Sequence, residues 1–140
     1  MSQNQTMAYL ASPYTHEEKN IRDTRYLVTA WMAAQLIRDG IHVFSATNHN
    51  AMLENFADLT DRLEDWQRFN HCMIKRCDKV IVLKMPGWEK SKGIQDQIKY
   101  AQLHSIPVEM MEVPQTIIDY YRKKVEREPL FLEILDTNMS

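Results

Sequence analysis

A chain of 140 residues suits one compact domain on one core, and 44% hydrophobic with 26% charged residues is the balance of an ordinary globular protein. A formal net charge of −2 offers no basic field for a nucleic-acid backbone, and no apolar stretch reaches the length of a membrane span. The opening MSQNQTM lacks the basic-then-apolar layout of a secretory leader. Cys72 and Cys77 fall on different faces of an expected helix, so free thiols in a reducing cytoplasm are expected.

In chain order, MAYLAS (7–12) is a short apolar run ended by Ser12-Pro13, and reads as a buried strand. Thr15 with Glu18 three residues on makes a capping box, so a helix is expected to start near Thr15. Leu27, Ala30, Trp31, Ala34 and Ile37 recur at helical spacing as its core stripe, and Gly40 is its stop. IHVFSA (41–46) is a second strand. Residues 47–60 show no clean period and read as a loop with a short helix. Residues 61–78 read as a helix with Leu63, Trp66, Phe69 or Asn70, Met73 and Ile74 along one side.

KVIVLK (79–84) is a third buried strand, MPGWEKS a loop, and Ser91 the cap of a helix over 92–104. IPVEMM (106–111) is a fourth strand, and 114–128 a helix with Pro114 in its first turn. The tail 129–140 carries an apolar patch, Leu130 to Leu135, which must dock on this chain or on a neighbour. Strands alternating with helices predict a single α/β domain over 1–140 with its core in 7–128. The expected architecture is a flavodoxin-like or Rossmann-like parallel sheet of four to five strands flanked by helices. Ligands of such sheets sit outside the carboxyl ends of the strands, which directs attention to loops 11–16, 45–50, 84–93 and 111–114.

Each loop has a plain and a functional reading. SKG at 91–93 places a serine and a glycine at a helix start, where free N–H groups and the positive helix end suit a phosphate. The same residues also make an ordinary cap. In YLASPYTH (9–16), Tyr14 and His16 have the chemistry to stack on a base or donate to a ligand oxygen, or they merely follow a strand-breaking Pro13. Asn48, His49 and Asn50 suit ligand hydrogen bonds, and are also common turn residues. Trp66 at helical spacing is more often core, and Arg25 more often a solvated face residue. His49, His71, Cys72 and Cys77 have no zinc spacing, so neither a metal nor a cofactor is expected.

YLASPYTH, Arg25-Tyr26, HVFSATNH, DWQRFN and CDKVIVLKMPGWEKSKGIQDQIKYA occur together and in order. The chain resembles the nucleoside 2-deoxyribosyltransferase-like superfamily over roughly residues 7–110. It is closest in pattern to a small bacterial and phage group of N-glycosidase-like proteins within that superfamily. The resemblance implies a pocket for a nucleoside or nucleoside monophosphate, often in a symmetric homo-oligomer with the site near the subunit interface. It also implies a chemistry of cleaving or exchanging the N-glycosidic bond. Such chemistry uses carboxylates, because the transition state resembles an oxocarbenium ion that negative charge stabilises.

Carried onto this chain, the resemblance puts the phosphate-holding or 5′-hydroxyl-holding pair on Ser91 and Gly93. Tyr9, Ser12, Pro13, Tyr14, His16, Arg25, His49, Trp66, Gly87 and Trp88 become further ligand-site residues. The working glutamate falls on Gln97 and the aspartate on Asn70. Both acids are therefore amides, which keep shape and hydrogen-bonding reach but lose the charge. Loss of one such charge costs roughly 3–4 kcal/mol of barrier. Asp96 points about 100° away from Gln97 on a helix, and Glu89 lies in the preceding loop; these are the candidate rescue carboxylates.

Three functions stay open. The chain binds a nucleotide-derived small molecule without cutting it, as a phage-type sponge or sensor or as an inactivated variant would. It is an active N-glycosidase or deoxyribosyltransferase working through Asp96 or Glu89. Or it is an interaction module, with the tail and the Trp31/Met32 helix making subunit contacts.

Overall fold

The computed structural model describes residues 5–56 and 63–128. A central sheet is formed by β1 (Met7–Ala11), β2 (His42–Ser45), β3 (Lys79–Leu83) and β4 (Val108–Met111), all parallel in the order β2-β1-β3-β4. The helices are α1 (Lys19–Arg38), α2 (Ala46–Leu53), α3 (Leu63–Lys75), α4 (Lys92–Leu103) and α5 (Gln115–Arg127), with a single 3-10 turn at Trp88–Lys90. This is the expected α/β arrangement of flavodoxin-like and Rossmann-like sheets, with four strands among the described residues. The expected docking of the 129–140 tail lies outside those residues, as does part of the 47–60 loop.

The middle strands read as continuous apolar runs because helices cover both faces of the sheet. Alternation then divides each strand between two cores. Ala8, Leu10, Ile81 and Leu83 face one cluster, which takes in Val28, Met32 and Leu36 of α1 and packs against Ile117, Ile118 and Tyr121 of α5. Tyr9, Ala11, Val80 and Val82 face the other, with Ile74 of α3 and Ile94 and Ala101 of α4. Cys77 is buried in this second core and Cys72 is exposed, and neither is paired. Burial and the neighbouring Asp78 charge push the Cys77 thiol up to about 11. In native protein at neutral pH, a thiol reagent should therefore modify Cys72 quickly and Cys77 only on unfolding. Rapid modification of both would contradict this packing.

Two expectations for α1 are corrected. The helix begins at Lys19, with Glu18 at its N-cap and no side-chain cap bond. His16 Nδ1 accepts the Glu18 N–H at 3.0 Å and Arg22 grips the His16 carbonyl at 2.6 Å, so the Thr15–Glu18 capping box does not form. The buried face is also turned by one residue: Val28, Met32, Ala33 and Leu36 lie inside, while Ala34 is exposed and Ile37 is 57% exposed. Periodicity misses this because the inner face carries polar residues. Asp23 is buried against Lys19 at 2.5 Å, Thr24 donates to Asn20 O, and Thr29 to Arg25 O. Both rows of the helix are apolar, so the satisfied polar groups decide the facing.

The end of α1 follows its reading. Gly40 takes φ +88, its N–H reaches Ile37 O, and the Ile41 N–H reaches Leu36 O at 2.9 Å. This double bond pattern is the one that closes a helix on a left-handed residue. Leu36→Ala should cost about 2–4 kcal/mol in urea denaturation, and Ile37→Ala less than about 1 kcal/mol. Equal losses would restore the original facing.

Candidate functional site

The carboxyl ends of β1, β2 and β3 open into a cleft of about 420 Å³. It sits where β1 meets β3 and the chain reverses its direction of travel across the sheet, the crevice that open α/β sheets use for ligands. Ser12, Tyr14 and Thr15 come from the turn after β1, Thr47, Asn50 and Glu54 from α2, and Trp66 and Asn70 from α3. Lys90, Ser91, Lys92 and Gly93 lead into α4, which adds Ile94 and Gln97. The fourth expected loop, 111–114, contributes nothing to this lining.

The two amides are both in the cleft and both buried: Asn70 is 5% and Gln97 8% exposed. Asn70 Oδ1 accepts from Asn50 Nδ2 at 3.0 Å. Asn50 Oδ1 lies 2.8 Å from His49 Nδ1, so the Asn50 side chain bridges His49 and Asn70. His49 itself is stacked on Phe69, with ring centroids 5.0 Å apart and 6° between planes. It thus stands behind the lining as an orienting residue. Gln97 makes no side-chain hydrogen bond to the described residues. Its amide atoms are not enclosed, since among the described residues the Tyr9 hydroxyl is the buried side-chain polar atom without a partner, so the Gln97 amide reaches the open cleft.

The start of α4 forms as the sequence predicts. Ser91 Oγ accepts the Ile94 N–H at 3.2 Å, so the cap is real, and Lys90 and Lys92 flank it. Gly93 lies outside the left-handed region, and an added Cβ would meet only Ser91 Oγ at 3.9 Å. Its backbone therefore does not demand glycine, and the missing side chain leaves room at the mouth of the helix. On the β1 side, the Ser12, Thr29 and Thr47 hydroxyls form a buried chain with spacings of 2.8 and 2.7 Å.

Other expected site residues stand behind the cleft. Tyr9 is fully buried in the core, its hydroxyl has no hydrogen-bonding partner in the described structure, and burial pushes the phenol pKa up. Pro13 is also fully buried, and His16 Nδ1 accepts the Glu18 N–H just before α1. Arg25 joins two loops: it donates to Tyr14 O and Thr15 O after β1 and to Pro86 O after β3, at 3.0–3.3 Å. Gly87, at φ +94, is required by that contact, because a Cβ would lie 2.5 Å from Arg25 Nη2. Trp88 packs partly buried against the second core. Both rescue candidates sit outside the lining. Asp96 is held by Gln67 at 2.9 Å and His71 at 2.8 Å, while Glu89 is exposed.

Sequence reading missed Glu54, Thr47, Lys90 and Lys92 as lining residues. Glu54 is the one carboxylate among the described lining residues, and Trp66 Nε1 donates to its Oε1 at 2.7 Å. Its segment has no clean period, so nothing in the sequence marked it. The Asn48–Asn50 triplet did carry a signal, but its members divide: Asn48 donates to Tyr26 O, and only Asn50 lines the cleft. No group of three or more His, Cys, Asp or Glu among the described residues is placed to hold a metal ion. No helix among them is long and apolar enough to cross a membrane.

Gly87→Ala should destabilise the fold by about 1–3 kcal/mol in urea denaturation, through left-handed strain and displacement of Arg25. Gly93→Ala should change stability by less than about 1 kcal/mol while narrowing the cleft. The reverse order would overturn the roles given to these two glycines. No curated protein matches the chain. A family model described as a domain of unknown function, DUF1937, matches residues 6–113, which include all four strands and the whole cleft. The chain belongs to the DUF1937 family.

Proposed function

We propose that this protein binds a nucleoside- or nucleotide-derived small molecule in the cleft and holds it without cleaving the N-glycosidic bond. The observation that carries this reading is that Asn70 and Gln97 are both buried and both line the cleft that the capped start of α4 also lines. The α4 end supplies N–H donors, Lys90 and Lys92 for a phosphate or comparable anion. The two amides offer neutral hydrogen bonds to sugar hydroxyls, and Trp66 offers an aromatic surface. The identity of the ligand class rests on the sequence resemblance to deoxyribosyltransferase-like proteins.

The amides cannot attack an anomeric carbon or stabilise a cation formed there. Replacing even one carboxylate in such a site removes roughly 3–4 kcal/mol of transition-state stabilisation. Cleavage through Asp96 has little support, since both its oxygens are engaged by α3 side chains. Glu89 points the same way, from an exposed position outside the lining. The reading that positions 70 and 97 support is capture, as a sponge or sensor performs it. The free thiols suit a cytoplasmic setting. The exposed Leu53 and Phe56 beside the cleft suit a homo-oligomer contact, to be read by sedimentation of a Phe56→Asp variant.

With nucleosides and their 5′-monophosphates, titration calorimetry should show binding, and chromatography should show no base release above buffer. Asn70→Asp with Gln97→Glu should create base release. Base release by the unaltered protein would overturn the capture reading. A double variant that binds the same ligands and stays inert would overturn the roles given to positions 70 and 97.

A further inference from the structure

The wall of the cleft at the end of β1 is built from hydroxyls whose protons are already committed. Thr29 Oγ1 lies 2.7 Å from Arg25 O and 2.8 Å from Ser12 Oγ. Thr47 Oγ1 lies 2.7 Å from Ser12 Oγ and 3.3 Å from Ser12 O. A hydroxyl has one proton to give and two lone pairs to offer. The three protons of Thr29, Ser12 and Thr47 therefore have four places to go inside the wall, and none is left over for the cleft. Ser12 and Thr47 line the cleft and Thr29 stands behind them, so the wall meets a ligand with lone pairs. Ser12 is 9% and Thr47 8% exposed, so turning one of their protons outward breaks a hydrogen bond in a nearly closed setting.

Asn70 supplies the opposite polarity. Its Oδ1 accepts from Asn50 Nδ2 at 3.0 Å, and its own Nδ2 makes no hydrogen bond to the described residues. That nitrogen is not enclosed either, so its N–H donors open on the cleft. Thr47 and Asn50 stand three residues apart on α2 and so share a helix face, which brings the amide pair beside the hydroxyl wall. None of Ser12, Thr47, Asn50 and Asn70 carries a charge. A phosphate or carboxylate here would set its oxygens against the lone pairs of the wall, whereas a sugar hydroxyl donates and accepts through one atom. We infer that this corner reads the sugar of the ligand and selects a vicinal diol, ribose over 2-deoxyribose. Two acceptor oxygens 2.7 Å apart, with a two-proton amide beside them, give each of two neighbouring hydroxyls a partner. This inference rests on the capture reading above and adds the sugar class to it.

The test is titration calorimetry of the full chain with the 5′-monophosphates of adenosine, guanosine, cytidine and uridine, each run beside its 2′-deoxy counterpart. For every base that binds, the ribose form should bind at least about fivefold more tightly, the discrimination expected of one neutral hydrogen bond. Thr47→Val should bring the two forms to within about twofold, chiefly by weakening the ribose form. Thr47→Ser keeps the hydroxyl and should keep the preference. Thermal melts report whether both variants remain folded, and the ratio measured on the unaltered protein decides the matter if Thr47→Val does not fold. Equal affinity for the two sugars, or a folded Thr47→Val protein with the full preference, overturns this inference and leaves the capture reading standing. If no monophosphate of either sugar binds the unaltered protein, the capture reading falls and this inference falls with it.

Discussion

The Arg25 guanidinium fixes the two loops on which the cleft depends. It spans from the carbonyls of Tyr14 and Thr15, after β1, to the carbonyl of Pro86, after β3. The planar fork of arginine suits this task, since several donors leave one rigid group in defined directions. Gly87 is glycine because its backbone is left-handed and because the guanidinium occupies the space a Cβ would need. With both loops tied, the start of α4 is held against the turn after β1. The residues of α2 and α3 then close the remaining sides.

Inside this frame Asn70 and Gln97 are buried, neutral polar groups of the cleft. Asn70 is oriented through Asn50 and His49, a relay in which the Phe69 stack holds the imidazole and the Asn50 amide bridges it to Asn70. Gln97 sits one helical turn beyond Gly93 with no described protein partner, so its hydrogen-bonding capacity is directed at whatever fills the cleft. A buried carboxylate at either place would need compensating donors or a counter-charge, whereas an amide does not. The one carboxylate among the described lining residues is Glu54, whose Oε1 accepts from the indole N–H of Trp66.

The sheet, the helices and the capped start of α4 were legible in the sequence. Their signals are local: apolar runs of strand length, a serine before a periodic stretch, and Gly40 after one. Asn70 and Gln97 were found through a resemblance in motif order, and the cleft does bring them together with Ser12, Tyr14, Trp66, Ser91 and Gly93. The facing of α1 was not legible, because Asp23, Thr24 and Thr29 are buried with partners that hydropathy cannot see. Tyr9, Pro13, Arg25, His49, Gly87 and Trp88 carry the same motifs, yet they build or orient the cleft from behind. Motif position alone does not separate a residue that touches a ligand from one that holds its neighbour. Glu54 was invisible for the opposite reason, lying in a stretch with neither period nor motif.

The central claim is that the buried amides hold an intact ligand. Nuclear magnetic resonance of the Asn70 and Gln97 side-chain NH2 groups tests it most directly, with a nucleoside 5′-monophosphate added and its anomeric proton followed in the same sample. The account predicts that both amide signals shift on binding while the anomeric signal persists over days. Binding that leaves both amides unmoved, or conversion of the anomeric signal to that of free sugar, would contradict it.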